Sequence, residues 1–228
     1  MGATEDDTQG ADTFRTLADK ALAQLQEDIV CGAIAPGTKL SETRLAERYG
    51  VSRGPMREVI RCLESRKLLE RTAHVGTRVT SLDPAALSQL YYVREALEGM
   101  AAHLAATAMS EDEITAIQEL LATHERQQDI QRDTAYFQYE GDLDFHYRIF
   151  EGSHNHALQE TLTNEIYYLL RMSRYRYSGV HKRPQQALAE HRQIVEAIAE
   201  RDAELAELLM RRHISRARRN IENQIGDQ

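Results

Sequence analysis

Apolar side chains recur every three or four positions near the start of the chain, and this spacing predicts one buried face of an α-helix. The pattern begins at Thr13, stops before Gly32 and is followed by the turn residues Ala35, Pro36 and Gly37. Proline and glycine in such a cluster end a helix and start a turn. We therefore expect a first helix that buries Phe14, Leu17, Ala18, Ala21, Leu22, Leu25 and Ile29.

Two shorter apolar patterns follow, and a glycine separates them. Ser41 can cap a helix that runs to about Glu47, and Gly50 then interrupts it. Two short helices joined by a tight glycine turn predict a helix-turn-helix. After Lys67 the residues favour strands, so 68–80 are expected to form a small β-hairpin, or wing. Ser52 can cap the third helix, whose buried face would consist of Met56, Val59, Ile60 and Leu63.

Beyond Pro84 the chain repeats long helical patterns with short breaks, and no strand pattern interrupts them. Ser110 and Glu113 have the spacing of a capping box, which marks the start of a helix. Helices joined by short connections pack as antiparallel neighbours, so we expect an all-α bundle of about six helices. These helices are predicted at residues 84–109, 114–129, 134–151, 155–177, 184–200 and 202–224.

Composition supports a mainly α-helical globular protein and excludes several other classes. Hydrophobic residues make up 42% of the 228 residues, which is enough for a packed core, and only 4 residues are proline. The first residues lack the features of a secretory signal, and no apolar run reaches the ~18 residues needed to span a bilayer. Two cysteines without a CxxC spacing exclude a disulfide framework. We expect a cytoplasmic protein without membrane association, with a disordered tail at 1–12 and domains at 13–80 and 81–228.

Charge is distributed unevenly along the chain. The net charge is −8, yet residues 39–80 contain ten Lys or Arg against five Asp or Glu. Arg53 and Arg57 are four apart at the exposed start of the third helix, and Arg44 lies near the start of the second. A guanidinium group can donate two hydrogen bonds at once to a phosphate or a guanine edge. The pattern therefore favours DNA binding over the alternative, a structural three-helix domain with a solvated basic face.

Eight of the nine histidines lie in the acidic half, and some have spacing that favours a metal site. Asp142 and His146 are four apart on the helix predicted at 134–151, so they share a face. His191 and His213 lie about ten and eleven residues from the break between the last two helices, which brings them to one height in an antiparallel hairpin. Asp144 is the weaker candidate, and ordinary surface or hydrogen-bonded residues are the alternative interpretation. Three further histidines have no evident partner: His103, His124 and His181.

The basic segment contains Gly37-Thr38-Lys39-Leu40-Ser41-Glu42, Gly50-Val51-Ser52-Arg53-Gly54-Pro55-Met56-Arg57-Glu58 and Gly76-Thr77-Arg78-Val79. With these residues, 13–80 resemble the winged helix-turn-helix of the GntR family of bacterial transcription regulators. The resemblance implies that the hairpin tip near Gly76 enters the minor groove. Gly54 departs from the family, which more often has Thr, Ser or Ala there, so one DNA contact is not carried over. The remaining DNA-binding residues are expected to be Arg44, Ser52, Arg53 and Arg57.

The acidic half contains Asp142-Leu143-Asp144-Phe145-His146, Ile149-Phe150-Glu151-Gly152-Ser153-His154-Asn155 and Glu190-His191-Arg192-Gln193-Ile194. Residues 84–224 thereby resemble the effector domain of the FadR-type branch of the family, the FCD domain. The resemblance implies a divalent metal whose open positions hold a small organic acid. It also implies an effector-binding arginine at Arg94. Arg171 and Arg174 are weaker candidates, because a charged residue on a helix is more often solvated. The implied metal ligands are Asp142, His146, His191 and His213.

These features together predict a ligand-responsive transcription regulator, with a repressor as the commoner family mode. As a homodimer it would bind two half-sites of double-stranded operator DNA and associate with the nucleoid when bound. Three imidazoles and a carboxylate suit Zn²⁺, Ni²⁺, Mn²⁺ or Fe²⁺, with zinc the first choice. The alternatives are a metal sensor and a helical metalloenzyme fused to a DNA-binding module. We do not expect an enzyme, because no glutamate is placed as a base for this ion.

Overall fold

The structure is a computed structural model that describes residues 16–81, 83–132, 136, 144–177 and 184–226. Helix α1 spans Leu17–Val30, and Thr16 and Asp19 form a capping box at its start. This box satisfies backbone N–H groups that would otherwise lack partners, so it fixes where the helix begins. The predicted tail at 1–12 lies outside the described residues.

The N-terminal unit is a winged helix-turn-helix, as predicted. Helix α2 spans Glu42–Arg48, and helix α3 spans Arg53–Ser65. Strands β1 (Leu69–Thr72) and β2 (Gly76–Val79) pair antiparallel, with Leu69 opposite Val79. Its core is built from one face of each helix and the inward side of the wing, and includes Leu25, Ile29, Met56, Ile60, Leu63 and Val79.

The C-terminal unit is an all-α bundle, which confirms the predicted fold class. Its two longest helices, α4 (Pro84–Ala108) and α11 (Ala203–Gly226), pack against each other. Asp83 caps α4, and the predicted capping box of Ser110 and Glu113 starts α5. The other helical segments are α5 (Glu111–Glu125), α6 (Gln128–Gln131), α7 (Phe145–Gly152), α8 (His156–Thr161), α9 (Tyr168–Tyr177) and α10 (Pro184–Ala199).

Several details differ from the sequence prediction. Leu17 was expected on the buried face of the first helix, but it is 69% exposed, since it is the first residue of α1. The expected helix at 134–151 is wrong at Asp144, which has extended backbone (φ −109°, ψ 122°) and caps a helix that starts only at Phe145. An aspartate side chain that accepts a backbone N–H favours a helix start over a helix interior. The expected α-helix at 155–177 contains a π-helical turn at Leu162–Tyr167 between α8 and α9.

No helix among the described residues is both long enough and apolar enough to cross a membrane.

Candidate metal centre and nucleic-acid interface

Three buried histidines from three helices meet inside the bundle. His146 lies on α7, His191 on α10 and His213 on α11, and their potential ligand atoms all lie within 4.8 Å of one another. The Nε2 atoms of His191 and His213 are 3.2 Å apart. Two nitrogens bound to one Zn²⁺ in tetrahedral geometry are about 3.3 Å apart, given Zn–N bonds of about 2.0–2.1 Å. The spacing of this pair therefore fits a shared divalent ion.

Two of the three imidazoles are oriented by buried carboxylates on the side away from the shared centre. Nδ1 of His146 is 2.7 Å from Oε2 of Glu98, and Nδ1 of His213 is 2.8 Å from Oε2 of Glu190. An ionised carboxylate only accepts hydrogen bonds, so each neutral imidazole donates from Nδ1 and has Nε2 as the unprotonated nitrogen that can bind a metal. Carboxylate–histidine pairs of this kind are typical of metal sites.

The third imidazole has a phenol as its partner. Nδ1 of His191 is 3.2 Å from the hydroxyl of Tyr136, and that hydroxyl is 2.8 Å from Nδ1 of His124. The ring of Phe145 stacks on His191 with a centroid separation of 3.9 Å. These contacts hold the imidazole in one orientation. They also correct the expectation that His124 has no partner near the site.

Burial sets the protonation state of the three histidines. Desolvation lowers the pKa of His146 well below its ordinary value, and the nearby guanidinium of Arg94 lowers it further. Desolvation and the neighbouring histidines lower the pKa of His191 in the same direction. The pKa of His213 is also lowered by burial, although its hydrogen bond to Glu190 opposes the shift. All three are therefore neutral near pH 7, which is the form that binds metals.

A buried ion pair lies beside the histidines. Arg94 is 2% exposed and Glu98 is 0% exposed, and Nε of Arg94 donates to Oε1 of Glu98. The NH2 group of Arg94 is 3.2 Å from Nε2 of His146. A carboxylate bound at the histidine centre would therefore lie within reach of a charged donor. Glu98 was not among the predicted site residues; its sequence signal is a charge four residues after Arg94 on the buried face of α4.

The structure describes only one of the two aspartates of the predicted motif, Asp144. Asp142 lies outside the described residues, so its place as a metal ligand stays a prediction. Asp144 is fully buried and already has two partners: Oδ1 accepts the His146 backbone N–H at 2.9 Å, and Oδ2 accepts from Arg174 at 2.6 Å. Burial by itself would raise the pKa of Asp144, but the positive charge of Arg174 holds it below the ordinary value.

Arg171, the second candidate for effector binding, contacts the N-terminal unit. Its NH2 group donates to Oε2 of Glu27 on α1 at 3.0 Å. The structure therefore brings Arg94 to the histidines and directs the guanidinium of Arg171 to another helix.

The predicted DNA-binding arginines lie on the outer face of the helix-turn-helix. Arg44 on α2 and Arg53 at the start of α3 are exposed, and the side chain of Arg57 is 51% exposed. The carboxylate of Glu42 accepts from Nε of Arg57 at 3.0 Å and from its NH2 group at 3.4 Å. This pairing lowers the pKa of Glu42 and orients the guanidinium of Arg57. Three cationic side chains are thus presented together by two helices.

The remaining predicted DNA-binding residues lie at the start of α3 and in the wing. Ser52 occupies the N-cap position of α3, but its side chain makes no capping hydrogen bond. Gly76 is the first residue of β2 and has φ +103°, a conformation that favours glycine. His74, at φ +63°, lies in the turn before it. The hairpin tip is therefore near Gly76, where it was predicted.

Two family descriptions match the chain. Residues 17–79 match "Bacterial regulatory proteins, gntR family", and residues 89–216 match "FCD domain". Three known proteins illustrate the similarity. An uncharacterized HTH-type transcriptional regulator of Bacillus subtilis, YdhC, is 32% identical over 80% of this chain and 81% of its own length. The HTH-type transcriptional repressor RspR of Escherichia coli is 28% identical over 83% of this chain and 82% of its own length. The solved structure of Escherichia coli McbR/YncC has a TM-score of 0.72 at 20% identity, covering 93% of this chain and 100% of that one.

Proposed function

Because the chain belongs to the gntR family of bacterial regulatory proteins and carries an FCD domain, it is a transcriptional regulator, and we propose that its helical domain binds a divalent metal together with a small carboxylate effector. Such regulators bind operator DNA and respond to a small molecule, and the chain is not an enzyme. The observation that carries the proposal is the convergence of three buried, neutral imidazoles.

The proposed ligands are His146, His191 and His213, with Asp142 as a predicted fourth. Imidazole nitrogens favour Zn²⁺, Ni²⁺, Mn²⁺ or Fe²⁺ over Ca²⁺ and Mg²⁺, and Zn²⁺ is the first choice for a mainly nitrogen set. A bound ion of this kind would supply open coordination positions for an oxygen donor. The carboxylates that accept from two of the imidazoles support the proposal, because such partners orient ligand nitrogens toward a metal.

The proposed effector is a small organic acid, as in the FadR-type branch that the sequence resembles. Arg94 is the residue that would bind its carboxylate, since the guanidinium lies 3.2 Å from Nε2 of His146. Its pairing with buried Glu98 fixes its orientation in advance. An effector that binds two conformations of the domain with different affinity would change DNA affinity by that difference.

The proposed DNA-binding mode uses α3 as the recognition helix. Arg53 and Arg57 would read base edges, and Arg44, Ser52 and the wing tip at Gly76 would add further contacts. Repression is the proposed mode, and the related protein RspR is named a repressor.

We further propose that the chain binds DNA as a homodimer. Among the described residues, most exposed large apolar side chains lie on two helices that pack together, α4 and α11. An exposed apolar patch of this kind marks an interaction surface. The proposed occupant is a second copy, because reading two half-sites requires two winged units. The patch consists of Tyr92, Val93, Met100, Leu205 and Leu208.

The test follows DNA affinity during stepwise addition of metal and acid. A duplex is first selected from a random library by the wild-type protein, and the metal-free protein is titrated with it. Zn²⁺ is then added, followed by small mono-, di- and hydroxycarboxylic acids at constant Zn²⁺. A change of affinity with an acid supports the proposal, whereas a response to Zn²⁺ alone favours a metal sensor and rejects the effector.

A matched pair of variants tests whether the change in DNA affinity caused by an acid depends on Arg94 beside the histidine centre. Arg94→Lys keeps the charge but loses the planar pair of donors, so the acid response should fall while the Zn²⁺ response remains. Arg126→Lys makes the same change at an exposed position after α5 and should behave as the wild type. Equal acid responses in both variants would reject Arg94 as the carboxylate ligand.

A further inference from the structure

The second half of helix α9 contacts the start of α7, the helix that carries His146. Arg174 donates to Oδ2 of Asp144 at 2.6 Å, and Asp144 is fully buried. The other carboxylate oxygen of Asp144 caps α7 through the backbone N–H of His146. A displacement of His146 therefore moves the group that holds Arg174.

The first half of α9 contacts the winged helix-turn-helix. Arg171 is 1% exposed and donates to Glu27 on α1 at 3.0 Å. One turn earlier, the ring of Tyr168 lies 4.7 Å from the guanidinium carbon of Arg66, within the range of a cation–π interaction. Arg66 is the C-cap residue of α3 and also donates to Gln26 on α1. The contact therefore reaches the end of the proposed recognition helix.

The segment immediately before α9 is a π-helical turn, Leu162–Tyr167. Such turns are rare, and they occur mostly as single turns at functional sites. Removing the extra residue from the turn would shift α9 by one helical position, about 100° of rotation and about 1.5 Å of rise. A shift of that size would move Tyr168, Arg171 and Arg174 together.

We propose that α9 transmits metal binding at the histidine centre to the DNA-binding unit. The input contact is Arg174–Asp144. The output contacts are Arg171–Glu27 and Tyr168–Arg66. This inference rests on the proposed metal site. The proposed route through α9 is distinct from a route through α4, the helix that joins the two units covalently and carries Arg94 and Glu98.

Hydrogen–deuterium exchange with Zn²⁺ as the only added ligand tests the proposal. In the wild type, Zn²⁺ should slow exchange in residues 168–177 and also in residues 17–30, which contribute no group to the histidine centre. The variant Glu27→Gln/Arg66→Gln removes the output contacts. In this variant the response of 17–30 should be lost and that of 168–177 kept.

The control is Glu58→Gln/Arg61→Gln, which removes an exposed ion pair on α3 with the same change in charges. It should retain both responses. If the double variant does not fold, Arg66→Gln and Glu27→Gln are made separately; each removes one output contact, so each should reduce the response of 17–30, and a full response in both overturns the proposal.

Three results of the exchange experiment would overturn the proposal. A response of 17–30 in the double variant equal to that of the wild type overturns the proposal, because the signal then passes elsewhere, with α4 the next candidate. A wild-type response confined to 168–177 also overturns it. If Zn²⁺ neither binds nor alters exchange anywhere, the proposed metal site is wrong, and the inference fails with it.

Discussion

Replacing either of the two carboxylates that accept hydrogen bonds from the histidines should weaken Zn²⁺ binding. The two replacements are chemically identical, but they should lower the stability of the metal-free protein by different amounts. Glu98→Gln and Glu190→Gln both remove a charged acceptor from the Nδ1 atom of a proposed ligand, His146 or His213. Loss of such a partner typically lowers metal affinity 10–100-fold, which is about 1.4–2.7 kcal/mol. Both variants should therefore bind Zn²⁺ more weakly by a factor in this range.

The stability of the metal-free protein should separate the two variants. Glu98 also neutralises Arg94, which is 2% exposed, so Glu98→Gln leaves a buried guanidinium without a counter-charge. Removing one partner of a buried ion pair costs about 3–5 kcal/mol. Glu190 also pairs with Arg216, whose side chain is 49% exposed and remains hydrated. The loss of that ion pair should cost below about 1 kcal/mol.

The assays are competition with a chelator of known Zn²⁺ affinity and urea unfolding of the metal-free protein. Glu196→Gln, at an exposed position on α10, is the control and should change neither quantity. Zn²⁺ affinities equal to the wild type in both variants would refute the role of the carboxylates. Equal, small losses of stability would refute the argument from the buried Arg94–Glu98 pair.

Three further results are expected. Arg53→Ala should weaken binding to the selected duplex by about 1–3 kcal/mol, measured by fluorescence anisotropy, and unchanged affinity would remove the recognition-helix assignment. Zn²⁺ at a hundred times its dissociation constant should raise the free energy of unfolding by about 2.7 kcal/mol in urea titrations, and His213→Ala should not show this rise. A rise of the same size in that variant would place the ion elsewhere. Met100→Lys should shift sedimentation toward the monomer, whereas Thr115→Lys on the exposed side of α5 should not; a dimer of unchanged strength in the first variant would reject the proposed surface.

The sequence predicted the fold well where local signals and periodicity act together. The capping box at Ser110, the glycine turn before α3 and the glycine that starts β2 are local features, so they could be identified without the structure. The approach of His191 and His213 followed from their equal distance to one helix break. The helical rise and an antiparallel hairpin are enough to place the two residues at one height.

The parts of the site that depend on long-range contacts could not be predicted. Glu98 could not be identified from its helical spacing, because a charged residue on a helix is ordinarily solvated and the partners of Glu98 lie four and forty-eight residues away. Asp144 ends the expected helix because its side chain caps α7, and its burial depends on Arg174, thirty residues later. The π-helical turn at Leu162–Tyr167 has no sequence signal that we recognised.

The metal content of the purified protein is the most direct test of the central claim. After loading with Zn²⁺ and desalting, elemental analysis should find about one ion per chain in the wild type and almost none in His191→Ala. His103→Ala, which changes a partly exposed histidine paired with Glu207, should retain the ion. Full retention of Zn²⁺ by His191→Ala would contradict the account.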